Sequence, residues 1–359
     1  MTFLDPSISG ASEGAARKNT VREGAARKSD ESENAARCEN GVREQLSPAA
    51  IACREGRARK PYETHPVSSY GAPEGTPLRT LQLVELDLME RIDAIFKKLD
   101  LRYYLLGGTL LGAVRHGGFI PWDDDVDLGV PRPDYQKFLA YAQEHPEALR
   151  REGEACKIDV VSIYSDPTCR QGMAKLTSDA VRVVNRSSDE IRYEDAWIDL
   201  IPLDGYPAPG LHALSHRLRL TWWKGMDALT EFDYVIDTKR DRGFAGNLMV
   251  KTVRALSHVI RPYGDNFNRV LLKWDSALRS LEYDNYPRSL NLMAAIGFRE
   301  LFPRTDFGAG QPISFEGRYF MAPDNVPGVL TQIFGSDYMT PPPEDLRNWH
   351  NTEVVEQDR

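Results

Sequence analysis

The stretch that most constrains the fold of this chain runs from Gly107 to Val130 and reads GGTLLGAVRHGGFIPWDDDVDLGV. It begins with a Gly-Gly-Thr turn and ends with four aspartates within five positions, followed by apolar residues. Because alternate side chains of a strand share a face, we expect Asp125 and Asp127 to point the same way, roughly 6–7 Å apart, with the intervening apolar residues in a core. Paired carboxylates repel each other, and a hard divalent cation with oxygen ligands is the usual means of holding them together.

The glycine turn predicts a phosphate site. Apolar residues 103–106 indicate a strand that ends at Gly107-Gly108-Thr109, and Leu110 to Val114 then indicates the start of a helix. Free backbone N–H groups and the helix dipole both favour anions at such a position. An Asp-rich segment can also be a solvated turn, but the apolar residues on both sides of Asp127 favour a strand.

The whole motif resembles the signature of the LicD/fukutin-related family of phosphotransferases. This resemblance extends from about Leu78 to Pro343 and includes a C-terminal pattern, FEG…P…L…GxDYM..PP. It implies an α+β, nucleotidyltransferase-like fold with a mixed β-sheet flanked by helices. It also implies transfer of phosphocholine, ribitol phosphate or a similar group from a CDP-activated alcohol donor. The implied acceptor is a glycan, teichoic-acid-like or lipopolysaccharide molecule.

The resemblance also predicts the catalytic carboxylates. Folds of this type place a third carboxylate on a neighbouring strand, and Asp199 in the motif WIDLIPLD matches that position. A carboxylate in an apolar run is costly unless it is paired or bound to metal. We therefore expect Asp125, Asp127 and Asp199 to be catalytic and to bind Mg²⁺ or Mn²⁺, with Asp199 also a candidate general base. The alternative is that Asp199 caps a turn or pairs with an arginine; Asp204 is assigned to a turn.

Other polar residues near these motifs are candidates for substrate binding. The expected contacts to donor phosphates are Gly107, Gly108, Thr109, Arg115 and Lys175. Further candidate substrate contacts are His116, Trp122, Asp124, Glu316, Arg347 and His350. For Lys175 a solvent-facing strand position is the alternative, and for His116, Trp122 and Glu316 it is a structural role.

Periodicity predicts the remaining elements. Pro77 to Asp100 has apolar residues at helical spacing, and Leu211 to Leu281 also indicates helices. Lys157 to Tyr164 indicates a strand, and residues 173–176 and 181–184 indicate two short antiparallel strands. The C-terminal motif predicts a strand pair followed by a helix.

The chain is expected to have three parts. Residues 1–76 contain a near-repeat at ten-residue spacing, EGAARK, EGAARK and ENAAR, which is too polar to form a packed core. We expect a disordered extension, with a docking tail as the alternative. Residues 77–345 are the expected LicD-type catalytic domain, with a helical subdomain over about 210–300, and residues 346–359 are a tail.

Composition limits partners and location. The formal net charge of −8 gives no basic field for nucleic acid. Four scattered cysteines without a CxxC pair predict a reducing compartment and no zinc site. No uninterrupted apolar window reaches the length of a transmembrane helix, so a cytoplasmic location is expected. The tryptophans and basic residues of the helical subdomain fit ordinary amphipathic helices, with a peripheral membrane contact as the alternative.

Two other functions remain open from the sequence. The same fold and carboxylates could make an activated sugar or alcohol from a nucleoside triphosphate. A non-catalytic relative could bind nucleotide or glycan, although the three intact aspartates argue against it.

Overall fold

The computed structural model describes residues 59–185, 191–232, 243–260, 267–293, 297–344, 347 and 352–355. The N-terminal repeat and His350 lie outside these described residues. Elements are numbered in chain order through the described part.

The helices are α1 (Pro77–Leu99), α2 (Gly107–Arg115), α3 (Arg132–Glu144), α4 (Leu211–Thr230), α5 (Gly243–Ile260), α6 (Phe267–Leu278) and α7 (Val326–Phe334). The strands are β1 (Tyr104–Leu105), β2 (Asp127–Pro131), β3 (Ile158–Val161), β4 (Ala174–Asn185), β5 (Arg192–Tyr206), β6 (Arg288–Leu290), β7 (Leu301–Pro303), β8 (Gln311–Phe315), β9 (Arg318–Ala322) and β10 (Thr352–Val355).

The main sheet is mixed. Its order is β1-β2-β5-β4-β10, with β3 paired to β4 and with β6 and β7 extending from the end of β5. The β2–β5 pair is parallel and the other pairs are antiparallel. A separate hairpin, β8–β9, precedes α7 as the C-terminal motif predicted. The predicted α+β class, with a mixed sheet flanked by helices, is therefore confirmed.

Helix α1 lies across β4 and β5. Thr76 caps its start by accepting a hydrogen bond from the backbone N–H of Arg79, Pro77 occupies the first turn, and Asp100 ends it in the left-handed conformation. The predicted helix therefore agrees with the observed one to within a residue. Its apolar face is buried and includes Leu81, Leu88, Ile92 and Phe96.

Several strands differ from the predictions. The first strand is only two residues long, and the two short strands expected over 173–184 are one continuous strand, β4, with a register shift between Ser178 and Arg182. The assignment of Asp204 to a turn is wrong. Asp204 lies within β5, is buried, and accepts two hydrogen bonds from Arg132. An arginine partner elsewhere in the chain allows a carboxylate in this apolar run.

Arg132 joins the sheet to the helical subdomain. Its guanidinium donates to both carboxylate oxygens of Asp204 on β5 at 2.7 and 2.8 Å, and to Asp275 on α6 at 2.7 Å. All three side chains are buried. The α6 end of the subdomain is thereby fixed to the strand that carries Asp199.

Residues 59–76, expected to belong to the disordered extension, are described and contact the domain. The backbone N–H of Tyr62 donates to Pro312, that of Val67 to Arg115, and that of Gly71 to Phe119. Residues 59–76 therefore pack against the domain that was expected to begin at residue 77.

Candidate active site

Asp127 and Asp199 lie directly opposite each other on neighbouring strands. In the parallel β2–β5 pair, residue 127 is in register with residue 199, and Asp199 N–H donates to the carbonyl of Val126 at 2.8 Å. Adjacent strands are roughly 4.8 Å apart and paired residues share a face. The two carboxylates therefore reach the same side of the sheet. Asp199 was expected on a strand beside the one that carries Asp127.

Asp123, Asp124 and Asp125 form a second acidic group in the loop just before β2. One carboxylate oxygen from each lies within 4.8 Å of the others. The expectation that Asp125 shares a strand with Asp127 is wrong, because the strand begins only at Asp127. Asp123 was not among the predicted site residues, although its place in the aspartate run was a signal for it.

The side chain of Gln82 on α1 holds this loop. Its amide nitrogen donates to the carbonyls of Ile120 at 3.2 Å and Asp123 at 2.9 Å, and its carbonyl oxygen accepts from Ala72 N–H at 2.8 Å. The side chain is fully buried. Sequence periodicity alone could not find this contact, because a polar residue on the inner face of a helix gives no indication of its partner.

The glycine pair is required by the approach of the carboxylates. Helix α2 begins at Gly107, three residues earlier than predicted. A Cβ atom on Gly107 would lie 2.6 Å from Oδ2 of Asp127, and one on Gly108 would lie 2.7 Å from Oδ2 of Asp123. Gly107 also has a φ of +51°, a left-handed conformation that favours glycine. The first turn of α2 therefore faces the acidic groups closely.

Thr109 positions Asp127. Its hydroxyl oxygen accepts a hydrogen bond from Asp127 N–H at 2.9 Å, and the side chain is buried. It does not line the cavity described next. In the described structure its hydroxyl thus holds the start of β2, and the phosphate contact stays a prediction.

These groups open into one cavity of about 620 Å³. Among the described residues on its wall, the only arginine or lysine is Arg115. The wall carboxylates are Asp123, Asp124, Asp125, Asp127, Asp199, Glu300 and Asp337. A wall with this balance of charge favours cations or protons.

The pKa of Asp127 reflects the negative charge of this wall. Burial raises the pKa of Asp127 well above its usual range, and the nearby carboxylates of Asp125, Asp199, Glu300 and Asp123 raise it further. The oxygen-only donors suit Mg²⁺ or Mn²⁺ better than a metal that prefers sulfur or imidazole ligands.

Asn291 and Glu300 are cavity residues that sequence reasoning missed. The amide of Asn291 donates to a carboxylate oxygen of Glu300 at 2.6 Å, and both side chains are buried. They follow β6 and precede β7 in short irregular segments, so no periodicity distinguishes them.

Arg115 is held in the cavity wall by two hydrogen bonds. Its Nε donates to Nε2 of His116 at 3.0 Å, and Nη1 donates to the carbonyl of Tyr338 at 3.0 Å. Burial lowers the pKa of the guanidinium, and the field of Arg347 lowers it further, although Asp123 opposes this. Arginine nonetheless stays charged, so the Arg115 guanidinium contributes one positive charge to the cavity wall.

His116 makes structural contacts, and the geometry gives no support to the substrate contact predicted for it. It is buried behind Arg115, it does not line the cavity, and its Nδ1 lies 2.6 Å from Ser68 Oγ. Burial and then the charge of Arg115 lower its pKa to about 4. The ring is therefore neutral near neutral pH, and Nε2 is free of a proton to accept from Arg115.

Trp122 and Arg347 lie at one side of the cavity. Trp122 is on the wall, and the Arg347 guanidinium lies 4.6 Å from the centre of its ring. Arg347 Nε donates to the carbonyl of Pro342, in the proline segment that forms part of the same wall. Asp124, also a predicted contact, is buried on the wall.

Lys175 and Glu316 are directed elsewhere. Lys175 is in register with Asp199, but its ammonium lies 3.9 Å from the Trp197 ring centre and 3.6 Å from Glu194, off the cavity wall. Glu316 accepts two hydrogen bonds from Arg79 at 2.7 and 2.9 Å, and both side chains are buried. Their predicted substrate roles therefore have no support in the geometry, and the structural alternative holds for Glu316.

Comparison with known proteins gives a family match at this site. Residues 100–170, which include the glycine turn and the aspartate run, match the family described as LicD/FKTN/FKRP, nucleotidyltransferase domain. The lipopolysaccharide cholinephosphotransferase LicD of Haemophilus influenzae is 26% identical over 296 residues, covering 76% of this chain and 96% of that protein.

Two further similarities are shorter. The ribitol 5-phosphate transferase FKRP of Homo sapiens is 58% identical over 36 residues, which are 10% of this chain and 7% of that protein. An uncharacterised Rickettsia prowazekii protein, RP689, is 47% identical over 82 residues, covering 21% of this chain and 31% of that protein. Together with the match over 100–170, these similarities support the resemblance of this chain to the LicD/fukutin-related family of phosphotransferases.

Proposed function

We propose that this protein transfers a phospho-alcohol group from a CDP-activated donor onto a glycan or glycoconjugate acceptor. The observation that carries the proposal is the in-register pair of Asp127 and Asp199, adjacent to the glycine pair at the start of α2. LicD is named as a cholinephosphotransferase of lipopolysaccharide and FKRP as a ribitol 5-phosphate transferase. Their shared chemistry supports a phospho-alcohol as the group that moves.

The carboxylates fit a magnesium or manganese ion. Asp125, Asp127 and Asp199 would hold it, because each contributes oxygen ligands to the same wall of the cavity. When bound, such an ion neutralises the donor diphosphate and the charge that develops on the leaving group.

The protein's own groups supply the rest. The donor phosphates are bound by the backbone N–H groups of Gly107 and Gly108 and by the guanidinium of Arg115. These groups are hydrogen-bond donors, as anionic phosphate oxygens require. Asp199 accepts the proton of the acceptor hydroxyl as that oxygen attacks phosphorus and the bond to the nucleotide leaving group breaks. Fixing both substrates in one cavity of about 620 Å³ supplies most of the catalysis, because phosphoryl chemistry depends chiefly on position and charge.

The test is transfer from labelled CDP-choline, CDP-ribitol and CDP-glycerol by purified protein with excess Mg²⁺. Asp127→Asn and Asp199→Asn should each reduce turnover at least a hundredfold. Glu144→Gln, at an exposed end of α3, should leave it unchanged. Wild-type turnover by Asp127→Asn would refute the role of the paired carboxylates.

Two alternatives are separated by the same assay. A nucleotidyltransferase would consume labelled CTP and release diphosphate, whereas the proposed enzyme consumes the CDP-alcohol and releases CMP. A binding protein would give neither product, and calorimetry would then report donor binding alone.

The acceptor side of the proposal includes a membrane surface. Helix α4 buries Ala213, His216 and Leu220, yet a second apolar stripe on it is exposed: Leu211, Leu214, Leu218 and Trp222. Helix α5 exposes Phe244, Leu248 and Met249. Large exposed apolar patches indicate interaction surfaces. No helix in the described part of the chain is long and apolar enough to cross a bilayer.

Charge favours an anionic bilayer as the partner of this surface. The chain has a formal net charge of −8, yet residues 211–226 of α4 and the whole of α5 contain no aspartate or glutamate. They carry Arg217, Arg219, Lys224, Lys251 and Arg254. We propose that the exposed stripes of α4 and α5 contact anionic lipid headgroups, which would bring the cavity to a lipid-linked acceptor.

Vesicle sedimentation tests this contact. Wild type should bind phosphatidylglycerol-rich vesicles and bind phosphatidylcholine vesicles much less. Leu218→Ser with Trp222→Ser should abolish binding, and Leu83→Ser, which removes an exposed leucine from α1, should not. A dimer that dissociates in the double variant, with no vesicle binding by wild type, would assign the surface to a second copy instead.

A further inference from the structure

A strap of chain ahead of α1, residues 66–72, lies along the segment that joins the end of α2 to the acidic loop. The backbone N–H of Val67 donates to the carbonyl of Arg115 at 2.9 Å, and that of Gly71 donates to the carbonyl of Phe119 at 2.8 Å. Both partners advance by four residues between these contacts, so the strap runs in the same direction as residues 115–119. The proposed chemistry assigns no role to this strap.

The second glycine pair of the motif, Gly117 and Gly118, lets the strap approach closely. A Cβ atom on Gly118 would lie 2.9 Å from Cβ of Tyr70 and 2.6 Å from Cγ of Glu316. One on Gly117 would lie 3.3 Å from Cγ of Pro66, and Gly117 has a φ of +81°, which favours glycine. The motif that carries the site residues therefore also has the shape that the strap requires.

Ser68 of the strap fixes the tautomer of His116. The Nε of Arg115 can only donate, so Nε2 of His116, 3.0 Å away, must accept. The proton of the neutral ring is then on Nδ1, which lies 2.6 Å from Ser68 Oγ and 3.3 Å from the carbonyl oxygen of Ser69. Both strap oxygens can accept from Nδ1, so the strap stabilises the one tautomer that holds Arg115.

Arg115 is oriented by these contacts. Among the described residues it is the only arginine or lysine on the cavity wall. Its hydrogen bonds to His116 and to the carbonyl of Tyr338 use two of its five N–H groups and fix the plane of the guanidinium. That plane decides where the other N–H groups point, and hence where an anion can bind.

The other end of the strap reaches the acidic loop through Gln82. Ala72 N–H donates to Oε1 of Gln82 at 2.8 Å, and the side-chain nitrogen of Gln82 donates to the carbonyls of Ile120 and Asp123. A flipped amide would place its oxygen against those two carbonyl oxygens, so Ala72 favours the orientation that holds the loop. The strap thus contacts the site on its cationic side and on its acidic side.

We propose that the strap positions both charged sides of the cavity, through His116 on the Arg115 side and through Gln82 on the side of the acidic loop. The inference rests on the proposed function, in which Arg115 binds the donor phosphates and the loop supplies Asp125. Neither His116 nor Gln82 is on the described cavity wall. Each is therefore a positioning residue, which acts through the group that it holds.

The first experiment measures binding of CDP-choline, CDP-ribitol and CDP-glycerol with Mg²⁺ by calorimetry, together with the kinetics of transfer. His116→Phe keeps a ring but cannot accept from Arg115, so the dissociation constant and the donor KM should rise about tenfold or more, with kcat changed less than about threefold. His116→Gln offers an oxygen in place of Nε2 and should stay within about threefold of wild type. His145→Phe, at a half-exposed histidine, should behave as wild type.

A double variant shows whether His116 acts through Arg115. In the Arg115→Lys background, His116→Phe should weaken donor binding by less than about twofold further, because the group that it positions is already gone. Independent, multiplying effects would overturn this side of the proposal, and so would equal weakening by His116→Phe and His116→Gln. A merely structural His116 would lower the melting temperature and kcat and leave the donor KM unchanged.

Gln82 is tested by the opposite kinetic effect. Gln82→Met removes the contacts to Ala72 and to the loop. Per folded molecule, measured by circular dichroism at the assay temperature, kcat should fall about tenfold or more while the donor KM changes less than about threefold. Ala72→Pro leaves Gln82 in place and removes the N–H that orients it, so it should lower kcat in the same way and replaces Gln82→Met if that variant folds poorly. Gln143→Met, at an exposed position of α3, should leave both constants unchanged, and an unchanged kcat in the Gln82 and Ala72 variants would overturn the loop side of the proposal.

The outcomes separate this inference from the proposed function. Wild type that transfers the phospho-alcohol group at a rate and donor KM that no strap variant alters would overturn the strap and leave the proposed function intact. Wild type that binds a CDP-alcohol without transferring it would overturn the proposed function, and the dissociation constants would still decide the Arg115 side of the strap. No binding of any of the three donors would overturn both.

Discussion

A Cβ atom on Gly107 would lie 2.6 Å from Oδ2 of Asp127, closer than such contacts occur in folded proteins. Gly107 at the start of α2 and Asp127 at the start of β2 are thus in close contact. Thr109 Oγ1, two residues further along α2, accepts a hydrogen bond from the backbone N–H of the same aspartate. The helix start and the carboxylate strand therefore form one rigid unit.

Gly107→Ala should disable that unit. The added methyl group must displace the Asp127 carboxylate, and alanine pays about 1–2 kcal/mol for a left-handed backbone. We expect turnover to fall a hundredfold or more, because a shift of about 1 Å at a reacting group has that effect. Gly225→Ala, where a Cβ meets nothing within 4 Å on α4, should raise stability slightly and leave turnover unchanged. Equal turnover in the two variants would show that Asp127 does not need a glycine at position 107.

Asp127→Asn should stabilise the metal-free protein while it removes activity. Burial raises the pKa of this carboxylate, and repulsion by Asp125, Asp199 and Glu300 raises it further. Asparagine has nearly the same shape and no charge, so urea unfolding in EDTA at pH 7.5 should give a free energy of unfolding about 1 kcal/mol higher than wild type. Addition of Mg²⁺ should stabilise wild type more than the variant. A less stable variant in EDTA would mean that Asp127 is held by favourable partners.

Arg132→Met should destabilise the fold strongly. It leaves the buried carboxylates of Asp204 and Asp275 without their guanidinium, and breaking a buried pair from one side costs about 3–5 kcal/mol. The measurement is the free energy of unfolding in urea. Adding Asp204→Asn and Asp275→Asn should recover part of the loss. Arg182→Met breaks a pair in which the arginine side chain is 55% exposed, and it should cost less than 1 kcal/mol.

The sequence predicted those parts of the molecule whose pattern is local. Spacing predicts the α1 helix and the core-facing Val126, Leu128 and Val130, and the family resemblance predicts Asp199 on a neighbouring strand. Periodicity gives the face on which a residue lies when its neighbours are apolar. The glycine pair follows the first strand as predicted, but the helix begins at Gly107 and not after a separate turn.

The sequence could not predict contacts between residues far apart in the chain. Gln82, Asn291 and Glu300 are polar residues in otherwise ordinary segments, and only the fold brings them to the aspartates. Asp204 was assigned to a turn because it precedes Gly205, and its arginine partner, 72 positions away, could not be predicted. For Glu316 and His116 a structural role was left as the alternative to substrate contact, because their partners, Arg79 and Ser68, are distant in sequence.

Arg115→Lys should weaken donor binding. The guanidinium already donates to His116 and Tyr338, and its planar fork can meet the donor phosphates while it keeps those contacts. A lysine is a point charge on a flexible chain and cannot keep all three. Calorimetry with CDP-choline and Mg²⁺ should show at least tenfold weaker binding, about 1.4 kcal/mol. Arg318→Lys, at an exposed pair on β9, should bind as wild type does, and equal affinities for both variants would exclude Arg115 from the donor site.

His116 supplies the last prediction, which concerns pH. The neutral ring accepts from Arg115, and its pKa is lowered to about 4 from an ordinary value near 6.5. Below pH 6.5 the unfolded chain takes up a proton at this residue and the folded protein does not, so stability is lost as the pH falls from about 6.5 to 4. Between pH 7 and pH 5 this residue should remove about 2 kcal/mol. His116→Gln should therefore lose about that much less than wild type over the same interval in urea unfolding. The comparison cancels the opposite effect of buried carboxylates such as Asp227, whose pKa is raised to about 7. His145→Gln, at a half-exposed histidine, should retain the wild-type dependence, and an unchanged dependence in His116→Gln would mean that His116 is protonated in the folded protein.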